Sequence, residues 1–152
     1  AYGPDKPIIT IVEPDKADCF YRTVKANDGE LHFVTEEMDT IMAGLACGEP
    51  CTIAWNILKD YADNFISMPD YVAAKGMRVL GNPLSGDQKV VSGESGAATF
   101  GLVVEVLQNK ELEWLKNELK LDENSKILCI STEGDTDKEN YRRIVWDGWY
   151  TK

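Results

Sequence analysis

Two short polar segments, each of which follows an apolar run, contain the residues of this sequence that could do chemistry. Residues 92–97 read SGESGA and residues 131–137 read STEGDTD. In open α/β sheets, ligands bind beyond the carboxyl ends of the strands, which is where both segments are expected to lie. The small residues of the first segment would let a flat ligand or a phosphate approach the backbone and the first amides of a helix. The hydroxyl groups of the second segment can bond to a ring nitrogen without carrying charge.

The first segment has two further interpretations. Its glycines can serve only a tight turn from strand to helix with Ser95 as the N-cap, and the local sequence by itself favours this interpretation. Residues 93–97 also nearly fit the G-x-S-x-G pattern of a hydrolase nucleophile. Ala97 breaks that pattern, and the only histidine, His32, precedes Ser95 instead of following it. We therefore expect no hydrolase site and interpret His32 as an exposed residue at a loop edge.

The second segment can be an ordinary loop that leads into a helix, with Asp137 as the N-cap. Asp135 and Asp137 resemble the start of a calcium loop, but the rest of that pattern is missing. The cysteines lie among apolar neighbours, and with one histidine in the chain they form no zinc pattern. We expect them to be reduced, buried thiols of a cytoplasmic protein. They are Cys19, Cys47, Cys51 and Cys129.

The composition is that of a folded, acidic protein. Hydrophobic residues make up 43% of the 152 residues and charged residues 28%, a balance that argues against a disordered chain. The formal net charge of -10 repels phosphate backbones and anionic lipids, so nucleic-acid and membrane partners are not expected. No apolar run has the length of a membrane span, and the opening residues lack the pattern of a signal peptide.

The hydrophobic periodicity predicts an α/β fold. Short apolar runs predict strands, and apolar residues at helical spacing predict helices. The expected strands are 7–13, 89–92 and 126–130, and the expected helices are 16–26, 35–45, 51–67, 69–81, from about 95 onward, 111–121 and 141–146. Buried strands that alternate with helices favour a short parallel sheet flanked by helices in a partial three-layer fold. So few strands make a thin sheet for so many helices, which indicates part of a larger unit.

Five stretches of the sequence carry a family resemblance that covers essentially the whole chain. Three of them resemble the fold type II enzymes that use pyridoxal 5′-phosphate, a family that includes the tryptophan synthase β chain: IITIVEPDKADCFYRT, SGESGAATFG and STEGDTD. Two longer stretches resemble the diaminopropionate ammonia-lyases within that family: TIMAGLACGEPCTIAW and GNPLSGDQKVVSGESGA. The resemblance implies that the fold is part of the large domain of such an enzyme.

The resemblance also implies a set of cofactor residues. Ser131 is the first choice as partner of the pyridine nitrogen of pyridoxal 5′-phosphate, and Thr132 is the second. Glu94 would lie near the ring face, and Asp135 would orient the hydroxyl loop. The implied reaction is α,β-elimination, which converts 2,3-diaminopropionate to pyruvate and ammonia.

The substrate side and the assembly are implied less directly. Gly48 and Glu49 would line the side on which the small amino-acid substrate binds. In this family the lysine that holds the cofactor, the glycine-rich phosphate loop and the acidic residues that move protons lie upstream of the matched part. We therefore expect residues 1–152 to be one C-terminal fragment of the cofactor-binding catalytic domain, inactive by itself. Its partners would be the missing N-terminal part of the same enzyme and, as a homodimer, a second copy.

Two other functions stay open from the sequence. The chain could be a fragment of a serine or threonine dehydratase-like enzyme of the same fold. The residues that distinguish the β-substituent of the substrate would lie upstream of the matched part. It could also be a non-catalytic structural or dimerisation segment. A purely structural segment has no need of two polar loops at strand ends, so the lyase is the preferred interpretation.

Overall fold

The computed structural model describes residues 3–152, without the side chain of Pro4. Ala1 and Tyr2, which open the stretch without a signal-peptide pattern, lie outside the described residues. The chain forms two compact units: residues up to Thr40 together with Leu45–Met68 make the first, and Ile41–Gly44 together with Pro69–Lys152 make the second. None of the described helices is long and apolar enough to cross a membrane.

The first unit contains a two-stranded parallel sheet. Strand β1 spans Thr10–Pro14 and β2 spans Asn64–Met68. They pair in parallel from Thr10 opposite Asn64 to Pro14 opposite Met68. Helix α1 covers Cys19–Ala26 and helix α2 covers Thr52–Tyr61. The predicted partial α/β fold with a short parallel sheet is thus confirmed, and β1 lies where the sequence predicted a strand.

Glu13 fixes the turn from β1 into α1. Its carboxylate accepts hydrogen bonds from the backbone N–H groups of Phe20 at 3.1 Å and Tyr21 at 2.8 Å. These amides are free at a helix start, so an acidic group from the strand replaces a local N-cap. Burial raises the pKa of Glu13 in spite of these two bonds. Burial and the neighbouring Glu13 also raise the pKa of the Cys19 thiol to about 12.

One predicted helix of the first unit is too long, and another is wrong. The helix predicted over 51–67 ends at Tyr61, and its last residues form β2 instead. Here the backbone pairs with the region of β1 instead of continuing the helix that the apolar periodicity predicted. This pairing begins at Asp63, whose N–H donates to Ile9 O at 2.8 Å. The helix predicted over 35–45 is reduced to a 3-10 turn at Ala43–Leu45.

The second unit is helical. Helix α3 spans Asp70–Gly81, α4 spans Glu94–Gln108, α5 spans Glu113–Glu118 and α6 spans Lys138–Val145, with a 3-10 turn at Lys110–Leu112 before α5. The sequence predicted helices in all four places. The core contains Ala74, Met77, Ala97 and Ile144.

Helices α3 and α4 cross at two glycines. A Cβ atom on Gly76 would lie 2.5 Å from Ala97 O, and one on Gly101 would lie 2.1 Å from Val72 O. Side chains at either position would force the helices apart. The small-residue start of α4, which the sequence showed as a run of glycine and alanine, therefore serves helix packing as well as the loop before it.

Two predicted strands of the second unit do not form. Residues 89–92 and 126–130 are not paired as strands within the described part of the chain. The second of these segments was expected to be buried, yet Leu128 is 88% exposed and Ile130 is 69% exposed. Their β-branched and apolar residues are typical of a sheet interior, but a strand needs a neighbour to supply hydrogen bonds.

The cysteines differ from the expectation in their burial. All four are free thiols within the described residues, but only Cys19 is buried. Cys47 and Cys51 are exposed and Cys129 is half-buried. Residues 3–152 contain no cluster of histidine, cysteine or acidic side chains that could hold a metal ion.

Candidate functional site

The two polar segments singled out from the sequence lie against each other in the second unit. The backbone N–H of Gly93 donates to Glu133 O at 3.1 Å. The hydroxyl oxygens of Ser92 and Ser131 are 2.8 Å apart, within hydrogen-bond distance. These contacts bring the loop before α4 and the loop after residues 126–130 together, although the strands predicted before them do not form within the described residues.

Glu133 connects the second loop to the start of α4. Its carboxylate accepts a hydrogen bond of 2.7 Å from the backbone N–H of Ser95. The predicted N-cap role of Ser95 is wrong: the N-cap is Gly93, and the Ser95 hydroxyl instead accepts from the N–H of Gly44 at 3.0 Å. Sequence reasoning missed Glu133, because only tertiary contact brings a residue so distant in the chain to this helix start.

The glycines of the first loop make room for the second loop. A Cβ atom on Gly93 would lie 2.4 Å from Gly134 O, and one on Gly96 would lie 2.7 Å from Ser92 Oγ and 3.0 Å from Ser131 Oγ. This favours the interpretation of these glycines as packing residues over close approach to a ligand. A Cβ atom on Gly134 would meet nothing within 4 Å, so open space adjoins the second loop there.

The hydroxyl residues of the second loop are accessible. Ser131 and Thr132 are both exposed. Besides its contact with Ser92, the Ser131 hydroxyl donates to Glu133 O at a long 3.3 Å. Ser131 is therefore held from one side and open on the other, and it can serve as a neutral hydrogen-bond partner for a ring nitrogen.

Two acidic residues of the site, Glu94 and Asp137, have structural partners. Glu94 is buried at the first position of α4, and its carboxylate accepts a hydrogen bond from the side-chain amide of Asn140 in α6. Asp137 caps α6 by accepting from the N–H of Asn140 at 2.9 Å, as the sequence predicted. Asp135 is half-buried in the same loop. The roles of Glu94 and Asp135 toward a cofactor stay predictions.

Gly48 and Glu49, the expected substrate-side residues, belong to the first unit. The carbonyl of Gly48 accepts from the N–H of Val34 at 2.9 Å, and a Cβ atom on Gly48 would lie 2.1 Å from Val34 O. Close packing against Val34 thus accounts for the glycine. The side chain of Glu49 is exposed, and its carbonyl accepts a hydrogen bond from the Cys47 thiol at 3.4 Å.

The hydrolase interpretation gains no support from the contacts of its candidate residues. The Ser95 hydroxyl accepts the bond from Gly44 already described. His32 pairs through Nε2 with Asp28 at 2.9 Å and is only partly exposed. Both side chains thus have hydrogen-bond partners, and neither of these contacts joins Ser95 to His32.

Comparison with known proteins points to one enzyme. Diaminopropionate ammonia-lyase of Escherichia coli K12 is 50% identical over 148 residues, which are 97% of this chain and 36% of that protein. The crystal structure of the Escherichia coli enzyme in complex with D-serine matches with a TM-score of 0.87 and 45% identity, over 99% of this chain and 36% of that chain. The same enzyme with an aminoacrylate-PLP azomethine reaction intermediate matches with a TM-score of 0.84 and 49% identity, over 93% of this chain and 35% of that chain.

The match covers nearly all of this chain but only part of each relative. No protein-family model matches the sequence. The chain spans about a third of the length of the curated relatives it matches, 36% in the Escherichia coli enzyme. The resemblance that its motifs indicated is nevertheless confirmed in both sequence and structure: the chain is homologous to part of diaminopropionate ammonia-lyase.

Proposed function

We propose that this chain is the C-terminal segment of an enzyme that uses pyridoxal 5′-phosphate to convert 2,3-diaminopropionate to pyruvate and ammonia. The observation that carries the proposal is the pair of hydrogen-bonded loops in which Ser131 is an exposed residue. The similarity to an ammonia-lyase along 97% of the chain supports the reaction. Residues 1–152 would then be one part of the cofactor-binding catalytic domain.

The donor set fits the pyridine end of the cofactor. A ring nitrogen needs one polar partner, and the exposed residue Ser131 provides a neutral hydroxyl. Thr132 is the alternative partner, with Glu94 near the ring and Asp135 in the same loop. When bound, the cofactor supplies an electron sink for the carbon from which the substrate loses its α-proton.

The neutral partner has a chemical consequence. A carboxylate beside the ring nitrogen would keep that nitrogen protonated, whereas the hydroxyl of Ser131 does not. An unprotonated ring nitrogen withdraws electrons less strongly than a protonated one. This favours loss of the β-amino group over transamination. Glu133 keeps Ser131 in place by tying its loop to the first turn of α4.

The rest of the proposed enzyme would complete the site. The lysine that holds the cofactor, the glycine-rich phosphate loop and the groups that move protons are assigned to the remaining length, about two thirds of the relatives. Gly48 and Glu49 are proposed for the substrate side. The assembly would be a cytoplasmic homodimer, and the isolated chain would have no turnover.

Deamination of serine is the second candidate activity. The observation that favours it is that a relative of this chain has been solved in complex with D-serine. The two activities differ in the β-leaving group, which is an amine in one and a hydroxyl in the other. Rates with 2,3-diaminopropionate and with serine, measured on the same full-length enzyme, separate them.

The direct test is removal of the proposed ring-nitrogen partner in the full-length enzyme. Ser131→Ala should weaken cofactor binding roughly fivefold, the effect of one neutral hydrogen bond, and leave the fold intact. Thr132→Ala is the matched variant and should change affinity less. Unchanged cofactor affinity and turnover in Ser131→Ala would move the role to Thr132 or away from this loop.

A further inference from the structure

A second serine, Ser92, lies within hydrogen-bond distance of Ser131. Ser92 has no exposed surface, and its Oγ is 2.8 Å from that of Ser131. Gly96 makes this pair possible, because a Cβ atom there would lie 2.7 Å from one hydroxyl oxygen and 3.0 Å from the other. The first turn of α4 thus leaves a space that two hydroxyl groups fill.

The hydrogen-bond partners indicate which serine donates. A hydroxyl has one proton to donate and can accept up to two bonds. The acceptors near Ser92 are Ser131 Oγ at 2.8 Å and Gly93 O at 3.5 Å, and the second distance is beyond the usual range of an O–H···O bond. The better acceptor for the Ser92 proton is therefore Ser131.

A Ser131 that accepts from Ser92 keeps its own proton for another partner. Within the structure that partner is Glu133 O, at a long 3.3 Å. A stronger acceptor on the exposed side would compete well with this contact. Donation from Ser92 also polarises the Ser131 hydroxyl and strengthens it as a donor.

We propose that Ser92 is a positioning residue that presents Ser131 as a hydrogen-bond donor to an unprotonated ring nitrogen. This inference rests on the proposed function, in which Ser131 faces the cofactor ring. It gives the buried hydroxyl of Ser92 a role that helix packing does not require. It also predicts that the state of the ring nitrogen depends on a residue that does not touch the cofactor.

The test uses the full-length holoenzyme with pyridoxal 5′-phosphate labelled with ¹⁵N in the ring. The nitrogen chemical shift, followed against pH, reports the protonation of that atom, and cofactor affinity is measured in parallel. The variants are Ser92→Ala, Ser131→Ala and their combination. Ser95→Ala is the matched control, because Ser95 is also a buried serine nearby, in the first turn of α4, but its hydroxyl accepts from the N–H of Gly44.

The expected result is a rise of the ring-nitrogen pKa in both single variants, each with roughly fivefold weaker cofactor binding. The combined variant should match Ser131→Ala, because Ser92 acts through Ser131. Ser95→Ala should leave the ring-nitrogen pKa unchanged. Ser92→Cys keeps a weak donor of similar shape and should give a smaller rise, and it replaces Ser92→Ala if the alanine variant does not fold.

Two outcomes would overturn the inference in distinguishable ways. If Ser131→Ala moves the ring-nitrogen pKa and neither Ser92 variant does, or if they move it downward, Ser92 does not present Ser131 as a donor and the proposed function stands. If Ser131→Ala leaves both the nitrogen shift and cofactor affinity unchanged, Ser131 is not the ring partner, and the assignment fails together with the inference.

Discussion

The carboxylate of Glu133 and the backbone N–H of Ser95 form a 2.7 Å hydrogen bond that joins the second polar loop to the first turn of α4. The free amides of a helix start and the positive end of its dipole favour an acidic partner at this point. The same residue accepts from the N–H of Gly93 through its carbonyl oxygen. One side chain and one peptide group thus set the spacing of two loops that are far apart in sequence.

Removal of this carboxylate should destabilise the chain measurably. We expect Glu133→Ala to lower the free energy of unfolding by about 1 to 2 kcal/mol, because it leaves a helix-start amide without its charged partner. Urea unfolding followed by circular dichroism measures the change. Glu139→Ala removes the same charge from an exposed ion pair with Arg143 in α6 and should cost less than about 0.5 kcal/mol. Equal losses in the two variants would contradict a special role for Glu133.

Gly101 should not tolerate a side chain although it lies inside a helix. Alanine has the higher helix propensity, but its Cβ would lie 2.1 Å from Val72 O. We expect Gly101→Ala to cost about 2 kcal/mol or more in unfolding free energy, because α3 and α4 must move apart. Gly134→Ala, where a Cβ meets nothing within 4 Å, is the control for stability and should be close to neutral. A neutral or stabilising Gly101→Ala would show that the two helices are not packed at this distance.

A partly buried ion pair makes the stability of the second unit depend on pH. Glu105 in α4 accepts from Lys75 of α3 at 2.7 Å and from the side chain of Asn109 at 3.0 Å. Burial raises the pKa of Glu105, but the bonds and the charge of Lys75 outweigh it, so the pKa lies below its ordinary value of 4.5. A lowered pKa stabilises the fold fully above 4.5, and this contribution is lost as the pH falls through the lowered value.

Lys75→Met should therefore have its largest effect at neutral pH. We expect a loss of about 2 to 3 kcal/mol at about pH 7, since Glu105 is left charged without its partner, and a smaller loss at about pH 3. Replacing Glu105 with Met in the same chain should recover part of the loss, because the uncompensated charge is removed. Urea unfolding at both pH values measures this. A loss that is independent of pH would mean that Lys75 acts through packing alone.

The fold could be predicted where local signals agree with tertiary structure. Helix α3 begins directly after Pro69 and ends at Gly81, as the breakers at these positions predicted. The helix expected over 51–67 was predicted too long, because Phe65 continues the apolar stripe of Trp55 while its backbone pairs with β1. Periodicity alone cannot weigh the hydrogen bonds of a distant strand against those of a helix.

The loops of the candidate site were predictable, but their connections were not. Their small and polar residues, each set following an apolar run, predicted that residues 92–97 and 131–137 form the candidate site. Glu133 and Ser92 act through tertiary contacts, so no local pattern distinguishes them from other loop residues. The glycines were ambiguous in sequence, and the short distances at Gly93 and Gly96 favour packing as their reason.

The exposed apolar segment at residues 126–130 should make the isolated chain associate. A segment whose Leu128 and Ile130 are largely exposed, and which is not paired as a strand within the described residues, offers apolar side chains and a place for strand pairing to another copy. We expect the mean mass from light scattering to rise with concentration above the 17.0 kDa of one chain. The double variant Leu128→Lys and Ile130→Lys should lower this association with little change in unfolding free energy. A mass of one chain at every concentration would show that the segment attracts no partner.

Under the proposed function, this chain can serve as part of a diaminopropionate ammonia-lyase. The most direct measurement replaces the matching 148-residue region of the Escherichia coli enzyme with this chain and follows pyruvate release from 2,3-diaminopropionate. The isolated chain is the control and should release none. We predict that the chimera is active and that Ser131→Ala within it weakens cofactor binding. A chimera that folds and binds pyridoxal 5′-phosphate but releases no pyruvate would contradict the account.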